Sequence, residues 1–487
     1  MRILLVGALS WNPERVRSLC ERGHRLWGLW SRSMSWDQGP YLATSGCIQQ
    51  VALEDAVSIV REQKIECVYS LFQVYHPRLW GATSPGIEHD VWTALRTLVT
   101  ARDRGELDVP IVRHWGFDIH NMDLDVARAF DGQIFCNRQK LDYWTTPLGQ
   151  GGCGIHLVED GDIVDFLDSD RQKLEFMNDD FPEKLSAATG EIHTVCIGRP
   201  FGIDYLAAAR RGIHVHMYGN RFDDIYRTMA RDLSLAGARR EVRLLSRFLH
   251  IHPSIQTHDG PWEDVRRAKS RWVREFAQYD AGWSYIGSPL PWEPLDDRGA
   301  IPNRLSTCLL AGLPVISDTR PGYYRYDELA RLGVNIDLDG DDYDGLRDRL
   351  AAEARTGERR ANAIRERSGY SFDSTIDPLI AFLARATERY FTRPLTERTR
   401  FTGGRSRLIH FNTSPERRAH AMRLLRRLLR PPDSPGAPAD GRFMTVAHAL
   451  GDQVNRRTVG FKAKVLARQL RHMHERAPAA DAPANGQ

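Results

Sequence analysis

The stretch A-I-P-N-R-L-S-T-C-L-L-A-G-L-P-V-I-S, residues 300–317, carries the most information about the fold of this chain. Pro302 suits the first position of a helix, where its missing N–H leaves no bond unmade. Apolar residues then recur at helical spacing until Gly312, which is typical of the residue that ends a helix. The apolar run 313–316 is typical of a buried parallel strand. The stretch therefore predicts a helix that begins in a loop and leads through a tight turn into a strand.

The start of this helix has the properties of an anion site. Its first backbone N–H groups have no partner within the helix, and the helix dipole places partial positive charge there. Arg298 and Arg304 flank the start and add full positive charges. These features favour a bound phosphate, although a plain helix–turn–strand unit would share the same apolar pattern.

Working outward, strand-like and helix-like segments alternate through residues 1–120 and again from 192 to 316. This order predicts parallel sheets covered by helices on both faces. We predict the α/β class, with two doubly wound Rossmann-like domains that face a cleft. The predicted domains are 1–180 and 190–370. Ligands of such domains bind at the carboxyl ends of the strands.

Composition agrees with a globular protein of several domains. The chain has 487 residues, of which 42% are hydrophobic and 27% charged, and this length exceeds that of one ordinary core. No apolar run approaches the ~20 residues of a membrane-spanning helix, and the residues M-R-I-L-L-V-G at the start predict a buried strand. The seven cysteines are scattered without a C-x-x-C pair, which favours a reducing, cytoplasmic location.

Positive charge is concentrated in the last part of the chain. Residues 401–487 contain 16 Lys and Arg against 6 Asp and Glu, so the first 400 residues carry a net charge of −6. We predict a basic helical tail, partly disordered, with an amphipathic helix at 415–430. That helix could pack on the body, bind an anionic membrane surface, or bind a partner protein. Aromatic residues for base stacking are sparse there, so we expect no nucleic-acid partner.

The segment P-N-R-L-x-x-x-L-x-A-G-L-P-V-I resembles the donor segment of GT-B glycosyltransferases, in which P-N-K/R-L-x-E-x-L-A-A-G-x-P-V-I is common. The resemblance implies two Rossmann-like domains and a last helix, here 371–395, that crosses back to the first domain. One departure concerns the acidic pair with which many retaining members hold the donor hydroxyls. This chain has Thr307 in place of the Glu and Gly299 in place of the second acid.

The resemblance also implies a donor site that binds a nucleotide diphosphate, of UDP or GDP type. A Gly-Arg pair after the first strand of the second domain would meet the pyrophosphate, because a guanidinium fork matches phosphate oxygens. Backbone groups of a later loop would hold the base, and Thr307 would lie near the ribose or sugar. The donor residues implied are Gly198, Arg199, Pro253, Arg298, Asn303, Arg304 and Thr307.

On the acceptor side, the resemblance implies residues at the strand ends of the first domain. His114 would follow the strand at 111–112 and bond a sugar hydroxyl or act as a base. Asp118 is the alternative base. The loop from Gly7 to Trp11, which is not a G-x-G-x-x-G turn, would lie beside the acceptor. The acceptor would be a glycan, a lipid-linked molecule or a small molecule.

The sequence predicts no metal site and no cofactor. His250 and His252 would share one face of a strand, as paired metal ligands could. No third ligand follows them at a convincing spacing, and GT-B enzymes use a helix dipole and arginines where others use a cation.

Together these observations predict a metal-independent glycosyltransferase in cell-surface glycan or glycolipid synthesis, held in the cytoplasm or peripherally at the inner face of the membrane. Two alternatives remain. The missing acidic pair favours a non-catalytic GT-B-like subunit of a partner enzyme, and a sugar-nucleotide epimerase can share the fold.

Overall fold

A computed structural model describes residues 1–7, 13–29, 45–71, 87–115, 122–123, 129–146, 163–167, 171–198, 203–219, 227, 230–231, 233–235, 237–252, 262–284, 303–319, 324–398 and 408–409. Within these ranges, no helix combines the length and apolar character needed to cross a membrane. Two parallel sheets dominate the structure, and each has helices on both faces.

The first sheet comes from the first part of the chain, whose strands are β1 Arg2–Gly7, β2 Arg25–Leu29, β3 Ile48–Gln50, β4 Cys67–Leu71, β5 Ile111–Trp115, β6 Met122–Asp123, β7 Gly132–Phe135 and β8 Ile163–Phe166. All except β6 form one sheet in the order β3-β2-β1-β4-β5-β7-β8. Every pair in it is parallel. The strands in the middle of this sheet are buried along their whole length, as expected for a sheet covered on both faces.

The helices of this part are α1 Pro13–Glu21, α2 Ala56–Glu62, α3 Ile87–Asp103 and α4 Arg138–Thr145. A buried ion pair anchors α3 to the sheet. Arg102 donates to Asp131 over 2.5 Å, and the same carboxylate accepts the Ile111 backbone N–H over 2.8 Å. The charge of Asp131 is therefore compensated inside the core.

The second sheet contains β9 Ile192–Ile197, β10 Ile213–Tyr218, β11 Leu249–His252, β12 Ala281–Trp283, β13 Val315–Asp318 and β14 Asn335–Leu338. Its order is β11-β10-β9-β12-β13-β14, again all parallel. Its helices are α5 Leu185–Thr189, α6 Tyr205–Arg210, α7 Arg239–Phe248, α8 Trp262–Phe276, α9 Asn303–Leu310, α10 Tyr324–Leu332, α11 Tyr343–Thr356 and α12 Glu358–Glu366. The predicted fold class, with two doubly wound α/β sheets, is confirmed.

The helix α13, Asp373–Thr392, follows the second sheet in sequence but packs on the first. A Cβ atom at Gly132 of β7 would lie 3.0 Å from the Cβ of Ala386, which allows helix and strand to approach closely. Arg22 of the turn after α1 bonds Asp377 over 2.9 Å. A short helix, α14 Leu395–Arg398, follows, and β15 Leu408–Ile409 pairs antiparallel with β6.

The structure corrects several details of the prediction. The strands β3, β8 and β14 were not predicted, because each has only three or four residues and β8 carries Asp165 inside a hydrophilic stretch. Residues 53–62 form a 3-10 turn followed by α2. The tail helix predicted at 415–430 lies outside the described residues.

Candidate functional site

The second sheet has its topological switch point between β9 and β12. The chain moves from β9 to β10 on one side, whereas β12 pairs with β9 on the other. In doubly wound sheets the crevice at the carboxyl ends of two such strands is the usual ligand site. Gly198 follows β9 at this edge, and Ser284 follows β12.

Gly198 turns the backbone out of β9. Its φ of +78° lies in the left-handed region that favours glycine, and its N–H donates to the Tyr218 carbonyl over 2.7 Å. The nearest atom to a Cβ built at this position would be Arg304 Nη2, at 4.0 Å. Glycine is therefore required by backbone conformation, while the Arg304 guanidinium lies directly beside the turn.

Arg304 is the second residue of α9 and is only 8% exposed. Its Nη1 donates to Cys196 Sγ over 3.7 Å. Burial raises the pKa of the Cys196 thiol, although Arg304 opposes that shift, so the thiol is neutral at physiological pH and leaves the guanidinium charge in place. A positive charge and the start of a helix thus meet at the carboxyl end of β9.

Thr307 lies one turn further along α9 and is half-buried. The spacing of three residues places it on the same side of the helix as Arg304. Asn303 is the first residue of α9. The structure therefore brings Gly198, Arg304 and Thr307 to one end of the sheet, with the backbone of Asn303. Arg199, Pro253, Arg298, Trp11 and Asp118 lie outside the described residues, and their roles stay predictions.

The first sheet has its own switch point between β1 and β4, and Gly7 ends β1 there. Its φ is +135°, and a Cβ atom would collide with the carbonyl oxygen of Leu71. Only glycine fits this position, because both the backbone conformation and the close approach of β4 exclude a side chain.

His114 lies inside β5, which runs on to Trp115, and not after the end of the strand as predicted. The imidazole is fully buried, and Tyr69 Oη is 2.8 Å from its Nδ1. Burial, with the charge of Arg15 and a smaller effect of Arg113, holds the pKa of His114 well below its usual value, against a hydrogen bond to the Leu167 backbone. His114 is therefore a neutral residue of the sheet with partners in the protein, and a role as acceptor base stays a prediction.

Two buried arginines near this position were not predicted. Arg15 in the first turn of α1 is 0% exposed, with its Cζ 5.8 Å from the Tyr69 ring centre. Arg113 of β5 is 3% exposed and stacks over Trp115 at 3.7 Å. The sequence does not distinguish Arg15 from an ordinary helix arginine, and its burial follows from the position of α1 beside the end of β1.

A chain of contacts joins the helices at the two switch points. Lys269 of α8 forms an ion pair with Glu14 of α1 and donates to Gln172 Oε1 over 3.3 Å. The backbone N–H of Gln172 in turn donates to Ser306 Oγ of α9 over 2.7 Å. The first turn of α1 and the first turns of α9 are therefore held in one structural unit.

No protein-family model matches the sequence, and a search among curated proteins returns no match. Solved structures with a similar fold exist. A glycosyltransferase from Rickettsia africae ESF-5 aligns with a TM-score of 0.48 and 10% identity, over 79% of this chain and 98% of the other. An α-glucosyltransferase in complex with UDP-glucose and DNA containing an abasic site aligns with a TM-score of 0.46 and 11% identity, over 79% of this chain and 99% of the other. WaaG, a glycosyltransferase involved in lipopolysaccharide biosynthesis, aligns with a TM-score of 0.40 and 12% identity, over 78% of this chain and 98% of the other. Because these TM-scores are below 0.5, they do not decide the chemistry of this chain.

Proposed function

We propose that this protein is a glycosyltransferase that moves a sugar from a nucleotide-diphosphate-sugar to an acceptor hydroxyl. The observation that supports it most directly is the placement of Arg304. Its guanidinium lies beside Gly198 at the switch point of the second sheet, on the first turn of α9. A diphosphate bound there would meet the charge and the helix start together.

The same geometry suits the chemistry of glycosyl transfer. Negative charge grows on the leaving diphosphate as the bond to the sugar breaks, and a fixed cation at that position stabilises the transition state more than the ground state. Arg199, which follows Gly198 in sequence, and Arg298, five residues before α9, would add to this charge. Thr307, one turn along α9, would face the ribose or the sugar.

The donor is proposed to be of UDP or GDP type, and the acceptor a glycan, a lipid-linked molecule or a small molecule. The first test is a thermal-shift series with UDP, GDP, CDP and dTDP and their common sugars. One nucleotide should raise the midpoint of unfolding, and Arg199→Ala should remove that rise. Arg211→Ala is the control, because Arg211 forms an exposed ion pair with Asp344 and precedes the start of β10, at the opposite edge of the sheet from Gly198.

Two alternatives have distinct outcomes in this test. A non-catalytic subunit, favoured by Thr307 and Gly299 in place of the acidic pair, would show no shift with any nucleotide in a protein that unfolds cooperatively. An epimerase would bind the nucleotide sugar and convert it without an acceptor, which product analysis by NMR would detect.

A membrane role is proposed for residues 415–430, whose six arginines accompany an apolar stripe. Flotation with vesicles that contain phosphatidylserine should carry the full chain to the top fraction, and removal of 401–487 should abolish this. Equal flotation of the shortened chain would contradict the proposal, as would flotation with neutral vesicles alone.

A further inference from the structure

Five histidines occupy one face of the second sheet on three neighbouring strands. They are His193 on β9, His214 and His216 on β10, and His250 and His252 on β11. Register places His193 beside His214 and His216 beside His250. Their rings stack, with centroids 4.3 Å apart for the first pair and 4.2 Å for the second. Apolar side chains fill the opposite face of these strands, so the row of imidazoles is confined to one face.

At one end of this row, two imidazoles meet a carboxylate. His214 Nε2 lies 2.8 Å from Glu191 Oε2. One ligand atom each from Glu191, His193 and His214 can be chosen so that all three lie within 4.8 Å of one another. The other carboxylate oxygen of Glu191 accepts from Arg247 over 2.7 Å, which directs Oε2 towards the histidines.

These three groups have the chemistry of a transition-metal site. Zinc binds imidazole nitrogen at about 2.0–2.1 Å and carboxylate oxygen at about 2.0–2.2 Å, with ligands at the corners of a tetrahedron. The three ligand atoms lie within 4.8 Å of one another, and binding would turn the stacked rings of His193 and His214 towards a common centre. We infer that Glu191, His193 and His214 bind a divalent transition-metal ion, for which Zn²⁺ is the probe of choice. The hydroxyl of Thr189 lies 3.0 Å from His193 Nε2 and is a further oxygen beside this ligand atom.

The remaining histidines supply the outer contacts that such a site needs. Metal-bound imidazoles usually donate their second N–H to an acceptor, which fixes the tautomer and the ring orientation. His193 Nδ1 lies 2.9 Å from His216 Nε2, and His214 Nδ1 lies 2.8 Å from His250 Nε2. His216 Nδ1 continues the chain to His252 Nε2 over 3.0 Å. With every ring as the Nδ1–H tautomer, all these bonds form and the Nε2 atoms of His193 and His214 stay available to the ion.

The position of this site separates it from the proposed donor crevice. Glu191 and His193 lie at the start of β9, and Gly198 follows the end of the same strand. The ion therefore lies at the opposite edge of the sheet from the nucleotide. The role of the ion is to fix β9 to β10. The inference of this metal site does not depend on the proposed transferase activity.

The test uses the full chain, stripped with EDTA and dialysed, then titrated with ZnCl₂ by calorimetry in a non-chelating buffer. We expect one Zn²⁺ per chain and a rise in the midpoint of thermal unfolding. Glu191→Gln and His214→Gln should each weaken binding at least about tenfold, because loss of even an outer contact to a metal ligand typically costs about 10–100-fold. His24→Gln, a change in a half-buried histidine beside the first sheet, should leave the affinity unchanged.

Glu191 is 36% exposed at its side chain, so its Gln variant is expected to fold and to keep its response to nucleotide. Failure of the wild-type chain to take up zinc stoichiometrically would overturn the inference. Equal affinity in wild type, Glu191→Gln and His214→Gln would also overturn it, because the zinc would then lie elsewhere. A response to nucleotide without a response to zinc separates this inference from the proposed function.

Discussion

Glu14 and Lys269, 255 residues apart in sequence, form an ion pair in which the side chains are only 6% and 12% exposed. Glu14 belongs to the first turn of α1, and Lys269 to the middle of α8. The ammonium group also lies 4.8 Å from the centre of the Phe176 ring. One charge from each half of the chain is thus withdrawn from water, and each compensates the other.

Removing one member of this pair leaves an uncompensated buried charge, which typically costs about 3–5 kcal/mol. We therefore expect Lys269→Met to lower the urea midpoint strongly. The double variant Glu14→Gln/Lys269→Met should recover more than half of that loss, since neither charge remains. Equal midpoints for the single and double variants would show that the two residues are not coupled.

His114 should make folding sensitive to mild acid. Its pKa is lowered in the folded protein, whereas in the unfolded chain it is about 6.5. Its contribution to stability is then complete above about pH 6.5 and is lost as the pH falls below that value, because the unfolded state binds the extra proton. The midpoint of thermal unfolding should fall less between pH 7.5 and 5 in His114→Gln than in wild type. Parallel curves would rule out His114 as the source.

Gly198 and Gly190 provide a matched pair of substitutions. Their φ angles are +78° and +71°, so alanine at either position should cost about 1–2 kcal/mol from backbone strain. Gly190 only ends α5, while Gly198 lies beside Arg304. We expect similar losses of thermal stability and a loss of nucleotide binding in Gly198→Ala alone. A similar loss of nucleotide binding in both variants would mean that the loss follows from lower stability and not from the position of Gly198 beside Arg304.

Arg304 should affect the rate of sugar transfer through both its charge and its shape. With a donor identified, we expect Arg304→Met to reduce kcat about 10²–10³-fold, as removal of one transition-state donor does elsewhere. Arg304→Lys should fall between this variant and wild type, because it keeps the charge but loses the fork. Arg331→Ala, which breaks an exposed contact with Glu328, should match wild type. A full rate in Arg304→Met would exclude this residue from the reaction.

The repeated strand–helix order could be predicted because it depends on the residues within each short segment. The helix at 303–310 has apolar residues at helical spacing and is closed by Gly312. The strands at 192–197 and 249–252 are followed directly by Gly198 and Pro253. Proximity of Gly198 and Arg304 also follows, since carboxyl ends of parallel strands meet at one edge. Short edge strands such as β8 leave too few residues for a period to be recognised.

The contacts between distant segments could not be predicted in this way. The sequence correctly places His250 and His252 on one face, but their partners on β9 and β10 depend on strand register, which no single segment encodes. The pairing of Glu14 with Lys269 depends on how the two sheets pack, and neither residue differs locally from an ordinary charged residue on a helix. The burial of Arg15 could not be predicted for the same reason.

The segment after the first sheet and the start of α13 bond directly to each other. Phe372 N–H donates to the Gln172 carbonyl over 2.8 Å, and Leu174 N–H donates to Asp373 over 2.6 Å. Within the described residues, the chain passes from the first sheet to the second before β9 and returns at α13, and these two passages lie side by side. Two halves of a protein that are joined by two adjacent segments rotate most easily about the line that passes through both segments. We expect rotation of one sheet against the other to follow that single axis once the ion pair between Glu14 and Lys269 is broken, with α13 moving together with the first sheet.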